Sequence, residues 1–211
     1  NGLVYVRGNK LDYDTWAQLG NTGWSYDDVL PFFKKMDNYQ GEITEVRSTE
    51  GPLKISEVED RNPIYEGLFM GAEEIGIPIN KDYNGHEQEG ISYTQTTIFK
   101  GERMSAEVAY LKPIRSRKNL TIITNSLVTK LLFDGKTCIG VKVKNKNKIK
   151  DFFVKNEVIL CGGAINSPQI LELSGIGNRS ILEEKGISLV HELKGVGENL
   201  RDHLGPRLVY N

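Results

Sequence analysis

The sequence predicts a mixed α/β (α+β) fold, and three observations carry that prediction. Strand-like runs rich in β-branched and aromatic residues crowd the stretch 120–160, with turn signals between them. Helical stretches with recognisable caps lie on both sides of it, which excludes an all-β chain. Glycine is frequent, 22 of 211 residues against 7 prolines, as suits short elements joined by tight turns.

Taken in order, Leu3–Val6 is an apolar run that reads as a short strand closed at Arg7-Gly8-Asn9. Residues 11–16 read as a helical turn. Ser25 then has the character of a helix N-cap, with Asp28 three residues on to complete a capping box. Val29, Leu30, Phe32, Phe33 and Met36 supply an apolar face, and Pro31 is expected to kink this helix. Gly51-Pro52 introduces a short strand at 53–56. A helix is expected from about Pro63 to Ile75, ended by Gly76 and Pro78. The Asn, Gly, Asp and Glu residues of 80–90 form a loop, and 91–99 alternates as a strand. Ser105 is expected to cap a helix that ends near Leu111.

Strands are then expected at 120–124, 127–133, 138–144 and 152–160, with Asp134-Gly135 as a hairpin turn. Lys142, Lys144, Lys146, Lys148 and Lys150 alternate through the next turn, either as an anion patch or, as charge runs usually are, as a solvated hairpin tip. Helices near 167–173 and 180–185 complete the chain.

Composition narrows the function classes. Charged residues make up 26% and apolar residues 38%, which excludes a wholly disordered or fibrous chain. The net charge of −1 lacks the basic excess of a nucleic-acid binder, so no nucleic-acid partner is expected. No apolar run approaches the ~18 residues of a membrane span. Two cysteines, Cys138 and Cys161, cannot build a disulfide framework, which points to a reducing compartment. The chain opens on Asn1 and not Met, so it is expected to be processed or a piece of a longer protein.

The usual site motifs are mostly absent. His86, His191 and His203 stand far apart in no metal-binding spacing, and no metal site is expected. No G-x-S-x-G elbow and no Walker A motif occurs. Gly175-Ile176-Gly177 and Gly195-Val196-Gly197 lack the third glycine of a dinucleotide fingerprint and read as turns and helix caps. The better candidate is 158–168. There an apolar strand meets Gly162-Gly163, and a helix follows that Ser167 could cap, with Pro168 at its first position. Such a turn lets a cofactor approach the backbone at a helix N-terminus, although a plain packing turn would use the same residues.

These residues converge on a family. The run from Gly163 to Gly177, GAINSPQILELSGIG, resembles the second signature of the glucose–methanol–choline (GMC) flavoprotein oxidoreductases. Asn1-Gly2-Leu3-Val4 through Trp16 resembles the end of the first signature and the loop after it. Residues 101–113 and the element Gly195-Val196-Gly197-Glu198-Asn199-Leu200-Arg201-Asp202-His203 follow in the family's order, with Arg201 where Gln is commoner. The resemblance covers the whole chain and is nearest the choline dehydrogenase branch.

The resemblance implies a partial FAD-binding domain, formed by 1–39 and 119–211, with part of a sheet-and-helix substrate-binding domain at 40–118. It implies FAD as cofactor and oxidation of a small-molecule alcohol by hydride transfer to the flavin. It implies cofactor contacts from Asn1, Gly2, Leu3 and Val4, from Val128 in the strand 127–131, and from the turn Gly162, Gly163 and Ala164. The family's phosphate-gripping GxGxxG lies upstream and its catalytic His downstream of this span, so no catalytic residue is assigned and the piece alone is expected to be inactive. His203 matches a different element and reads as structural. The alternative is a non-catalytic or lyase-type member of the same fold with structural FAD. Substrate alcohol, electron acceptor and the choice of oxidase or dehydrogenase stay open. The expected location is cytoplasmic, or on the inner side of a membrane.

Overall fold

The computed structural model describes residues 2–205, and the chain divides after Thr121 into two compact units.

The first unit opens in extended backbone. Leu3–Val6 is not a full strand: Val4 forms a single bridge with Thr96, supported by Tyr5 N–H to the Gln95 carbonyl at 2.8 Å and Thr97 N–H to the Leu3 carbonyl at 2.9 Å. Helix α1 (Lys10–Gln18) starts at Asn9, whose side chain accepts from the Leu11 N–H. Helix α2 (Tyr26–Met36) carries the capping box expected of Ser25 and Asp28, and it continues through Pro31. Tyr13 packs edge-on against Trp16 and Phe33, which ties α1 to α2.

Strands β1 (Asp37–Tyr39) and β2 (Leu53–Glu57) pair in parallel, Asp37 opposite Leu53. Gly51 makes the return possible, because a Cβ there would lie 2.2 Å from the Met36 carbonyl oxygen. Helix α3 (Ile64–Glu74) matches the expected 63–75. The run 91–99 is broken into β3 (Gln95–Thr96), antiparallel to β2, and β4 (Ile98–Phe99), which pairs with β5 (Glu102–Arg103). A π-helical turn, Glu107–Leu111, follows, with the Val108 N–H donating to Ser105 Oγ at 3.3 Å.

The apolar core of this unit is small: Tyr5, Tyr39 and Ile55, with Met36 and Leu53 packed around them. Beside it lies a buried polar lattice. Asp37 has no solvent contact, accepts from the Tyr5 hydroxyl at 2.5 Å and from an Arg7 guanidinium N–H, and forms an ion pair with Arg47 Nε at 3.3 Å without a hydrogen bond. Asn84 accepts from the Arg7 backbone N–H at 2.7 Å and donates to the Tyr5 carbonyl at 3.1 Å and Gln95 Oε1 at 2.9 Å. Arg47 donates to Gln95 Oε1 at 3.2 Å and lies 4.0 Å over the Tyr39 ring. Gln95 in turn donates to Asp82 at 2.7 Å and to the Tyr39 hydroxyl at 3.3 Å. Five separate stretches of chain are therefore joined by bonds that are costly to leave unmade in a dry interior.

The second unit is built on an antiparallel meander, β6 (Leu127–Asp134), β7 (Thr137–Asn145) and β8 (Lys148–Phe153). The Asp134-Gly135 turn forms as expected. Strand β8 ends at Phe153 and not at 160, and 120–124 forms no strand. Among the described residues neither run has a strand partner, and Ile122, Ile123 and Ile159 are exposed. High β-propensity makes a strand only where a neighbour supplies the ladder. Helix α4 (Gly163–Leu173) packs on β6, β9 (Ile176–Gly177) pairs in parallel with β10 (His191–Glu192), and α5 (Arg179–Glu184) lies between them in the chain, capped by Asn178.

Two outcomes test the lattice. Asp37→Ala leaves two buried guanidinium groups without their carboxylate, so a loss of roughly 3–5 kcal/mol in chemical denaturation is expected. The Tyr39 phenol is pushed up from 10.0 to about 12, first by burial and then by the Asp82 charge. A raised folded value means that its contribution is complete below pH 10 and is lost as pH rises towards 12. Tyr39→Phe should flatten that part of an alkaline stability profile.

Candidate functional site

The residues expected at a cofactor fall into both units. In the second unit the turn 161–164 delivers the chain into α4. Gly163 has φ +78°, a backbone that L side chains resist, and a Cβ there would meet nothing within 4 Å. The glycine is thus required by conformation, and the space above it is open. Gly162 occupies the N-cap without a side-chain bond, and no acid sits in the first turn. The first N–H groups of α4 are left to an external acceptor, where the helix dipole favours an anion.

The structure corrects one sequence expectation here. Ser167 and Pro168 do not start the helix; α4 begins four residues earlier, at Gly163, because the glycine turn itself redirects the chain. Pro168 therefore lies inside α4. It has no N–H to offer the Ala164 carbonyl, and both residues line one cleft.

That cleft measures about 730 Å³ and runs between α4 and the loop 195–201. Glu172 sets the spacing between them. A Cβ on Gly197 would come to 3.0 Å from its carboxylate, and one on Gly177 to 3.3 Å from its side chain. Gly177 and Gly197 thus serve close approach, and Gly197 also turning, at φ +79°. Gly175 has φ +89° just beyond α4, and a Cβ there would stand 2.3 Å from the Ser188 carbonyl.

Val128 lies in β6, half-buried and opposite Val143. Strand β6 is an edge of its sheet, and α4 is tied to that edge by Ser174. The buried Ser174 hydroxyl donates to the Ile170 carbonyl at 2.5 Å and accepts the Leu131 N–H at 2.8 Å. Sequence reasoning did not single out Ser174 or Glu172. The only signal for them was their place inside the contiguous second signature.

In the first unit, Leu3 has φ +64°, the left-handed region that costs a residue with a Cβ on the order of 1–2 kcal/mol. Its carbonyl is held by the Thr97 N–H, and Val4, exposed on its side chain, continues along Thr96. Gly2 has open space, its nearest neighbour being Val4. Asn1 lies outside the described residues. Strain at Leu3 marks a segment whose shape is imposed by its surroundings, as at many functional loops.

The histidines stay apart. His86 pairs with Glu45 at 2.7 Å on the surface, His191 is exposed in β10, and His203 is exposed. Among the described residues no cluster of His, Cys, Asp or Glu could hold a metal, and no helix is long and apolar enough to cross a membrane.

Comparison with known proteins places this geometry. The family model described as GMC oxidoreductase matches residues 1–205. The chain is 42% identical over 204 residues to the oxygen-dependent choline dehydrogenase of Brucella anthropi, covering 97% of this chain and 37% of that protein. It is 41% identical to the mitochondrial choline dehydrogenase of Homo sapiens, covering 97% of this chain and 34% of that one. A solved FAD-dependent oxidoreductase from Chaetomium thermophilum superposes with a TM-score of 0.90 at 34% identity, over 96% of this chain and 37% of that one. The chain thus spans little more than a third of the length of these relatives. With its family model matched along nearly its whole length, the chain belongs to the GMC oxidoreductase family.

Proposed function

We propose that these residues form part of an FAD-dependent enzyme that oxidises choline, or a primary alcohol like it, to the aldehyde. The observation that carries the reading is the 42% identity, sustained over 97% of the chain, to proteins named as choline dehydrogenases. When bound, FAD supplies the acceptor for the hydride that the alcohol gives up.

The residues present fit such a cofactor. The space above Gly163 is open to a dinucleotide, Gly162 beside it lies close against Asn166 and Ser167, and the uncapped N–H groups of α4 suit a negative charge. Val128 offers backbone at a strand edge for a planar base. Gly2, Leu3 and Val4 offer a stretch of backbone to the flavin end; Asn1, assigned to the same contact, lies outside the described residues. On this reading 1–39 and 119–211 serve the FAD-binding domain and 40–118 the substrate-binding domain. We assign no catalytic base within this span.

The full-length protein should carry a flavin absorption spectrum that bleaches on anaerobic addition of choline or another primary alcohol, with dye reduction under turnover. A folded, flavin-free protein would sink the reading. A flavin that no alcohol bleaches would favour the structural-FAD alternative. Gly163→Val puts a β-branched residue at φ +78° and should weaken FAD retention roughly tenfold or more, measured by flavin release on dilution. Ser174→Ala leaves the Leu131 N–H buried and unpaired, so a stability loss of about 1–3 kcal/mol is expected in thermal or chemical melting.

A further inference from the structure

The extended backbone at 3–7 is paired along one edge, and the pairing is completed by side chains. The Leu3 carbonyl accepts the Thr97 N–H at 2.9 Å, and the Tyr5 N–H donates to the Gln95 carbonyl at 2.8 Å. Beyond Tyr5 the backbone ladder ends, and three side chains of the loop 80–90 continue it. The Tyr83 hydroxyl donates to the Tyr5 carbonyl at 3.0 Å and accepts the Gln95 N–H at 2.6 Å. The Asn84 carboxamide donates to the Tyr5 carbonyl at 3.1 Å and accepts the Arg7 N–H at 2.7 Å. The Gln88 carboxamide donates to the Arg7 carbonyl at 2.9 Å and accepts from Asn9 Nδ2 at 2.8 Å. A carboxamide carries the donor and acceptor of a peptide group, so Asn84 and Gln88 stand where a strand would. Their loop is held by bonds of its own. Asn80 Nδ2 donates to the Glu87 and Glu89 carbonyls at 2.8 and 3.1 Å, and the Gly85 N–H donates to the Asp82 carbonyl at 2.8 Å.

We infer that Asn84 and Gln88 are positioning residues for the oxidation: they clasp one edge of 3–7 so that its other edge keeps a fixed shape towards the flavin. The inference rests on the proposed cofactor contact at Gly2, Leu3 and Val4. Alternation along extended backbone turns the N–H and carbonyl groups of Val4 and Val6 away from the clasp. Among the described residues they have no hydrogen-bond partner, and both valine side chains are exposed. The unpaired edge is thus the one free to meet a cofactor. Leu3, at φ +64°, would gain by relaxing out of the left-handed region if its pairing with Thr97 slipped. The clasp anchors the chain just beyond it and opposes that slip. Neither Asn84 nor Gln88 is assigned to the cofactor itself; both act through the backbone they hold.

The test compares Gln88→Leu and Asn84→Ala in the full-length protein as purified. Ser25→Ala serves as the control, since it removes the cap of α2 without touching the clasp. Hydrogen exchange in the peptide 2–9 should quicken roughly fivefold or more in both clasp variants and stay unchanged in the control. The flavin reduction potential should shift in the clasp variants only. Their kcat should fall roughly ten- to a hundred-fold with KM nearly unchanged, as expected when a group is misplaced and not lost. Circular dichroism checks each fold. Half-buried Gln88 decides alone if Asn84→Ala does not fold. Unchanged exchange in folded variants would overturn the inference. So would faster exchange with a wild-type potential and kcat, which would leave the clasp a purely structural role and the oxidation reading intact. A full-length protein that holds no flavin would overturn the oxidation reading itself, and this inference with it.

Discussion

Asp37 sits out of water between two guanidinium groups and a phenol, and the first unit is organised around that carboxylate. The apolar core there is too small to fix the arrangement of several loops and short strands by burial alone. A buried carboxylate must be matched, and the matching side chains come from widely separated places: Tyr5 and Arg7 near the start, and Arg47 from the loop between β1 and β2. Asn84 and Gln95 extend the lattice to the loop 80–90 and to β3. The backbone around Tyr5 and Arg7 is held in place through the same bonds. The strained Leu3 just before it is held by the Thr97 N–H, one residue beyond β3.

The second unit uses the same device on a smaller scale. One hydroxyl, that of Ser174, joins the C-terminal end of α4 to the edge of β6. It fixes the helix whose N-terminus carries the open glycine turn. Glycines at 175, 177 and 197 let the following chain pass within contact distance of Ser188 and Glu172. The signature of the family is thus read physically as a helix with one unencumbered end, whose other end is secured by Ser174 and by the close approaches at Gly175 and Gly177.

Local chemistry was the most legible in the sequence. The Ser25–Asp28 capping box, the Asp134-Gly135 turn and the extents of α3, β6 and β7 depend on residues near one another in the chain, and they formed as expected. What failed was non-local. The runs 120–124 and 154–160 have strand composition but no ladder partner among the described residues. The Ser167-Pro168 cap failed because a glycine turn four residues earlier overrode it. The polar lattice could not be foreseen, since Arg7 and Asp37, or Asn84 and Tyr5, meet only after folding and carry no spacing signal. The candidate site was legible because its turn, helix and following loop are nearly contiguous, whereas the Ser174 tie to Leu131 crosses between elements.

The proposed cofactor site turns on Gly163, at the uncapped start of α4, whose open space admits close approach by a dinucleotide. A crystal structure of the full-length protein purified with its flavin measures this directly. The account predicts cofactor density within van der Waals contact of Gly163 and Ala164, with the Val128 backbone against the adenine. Flavin density elsewhere, with this turn covered by protein side chains, would contradict it.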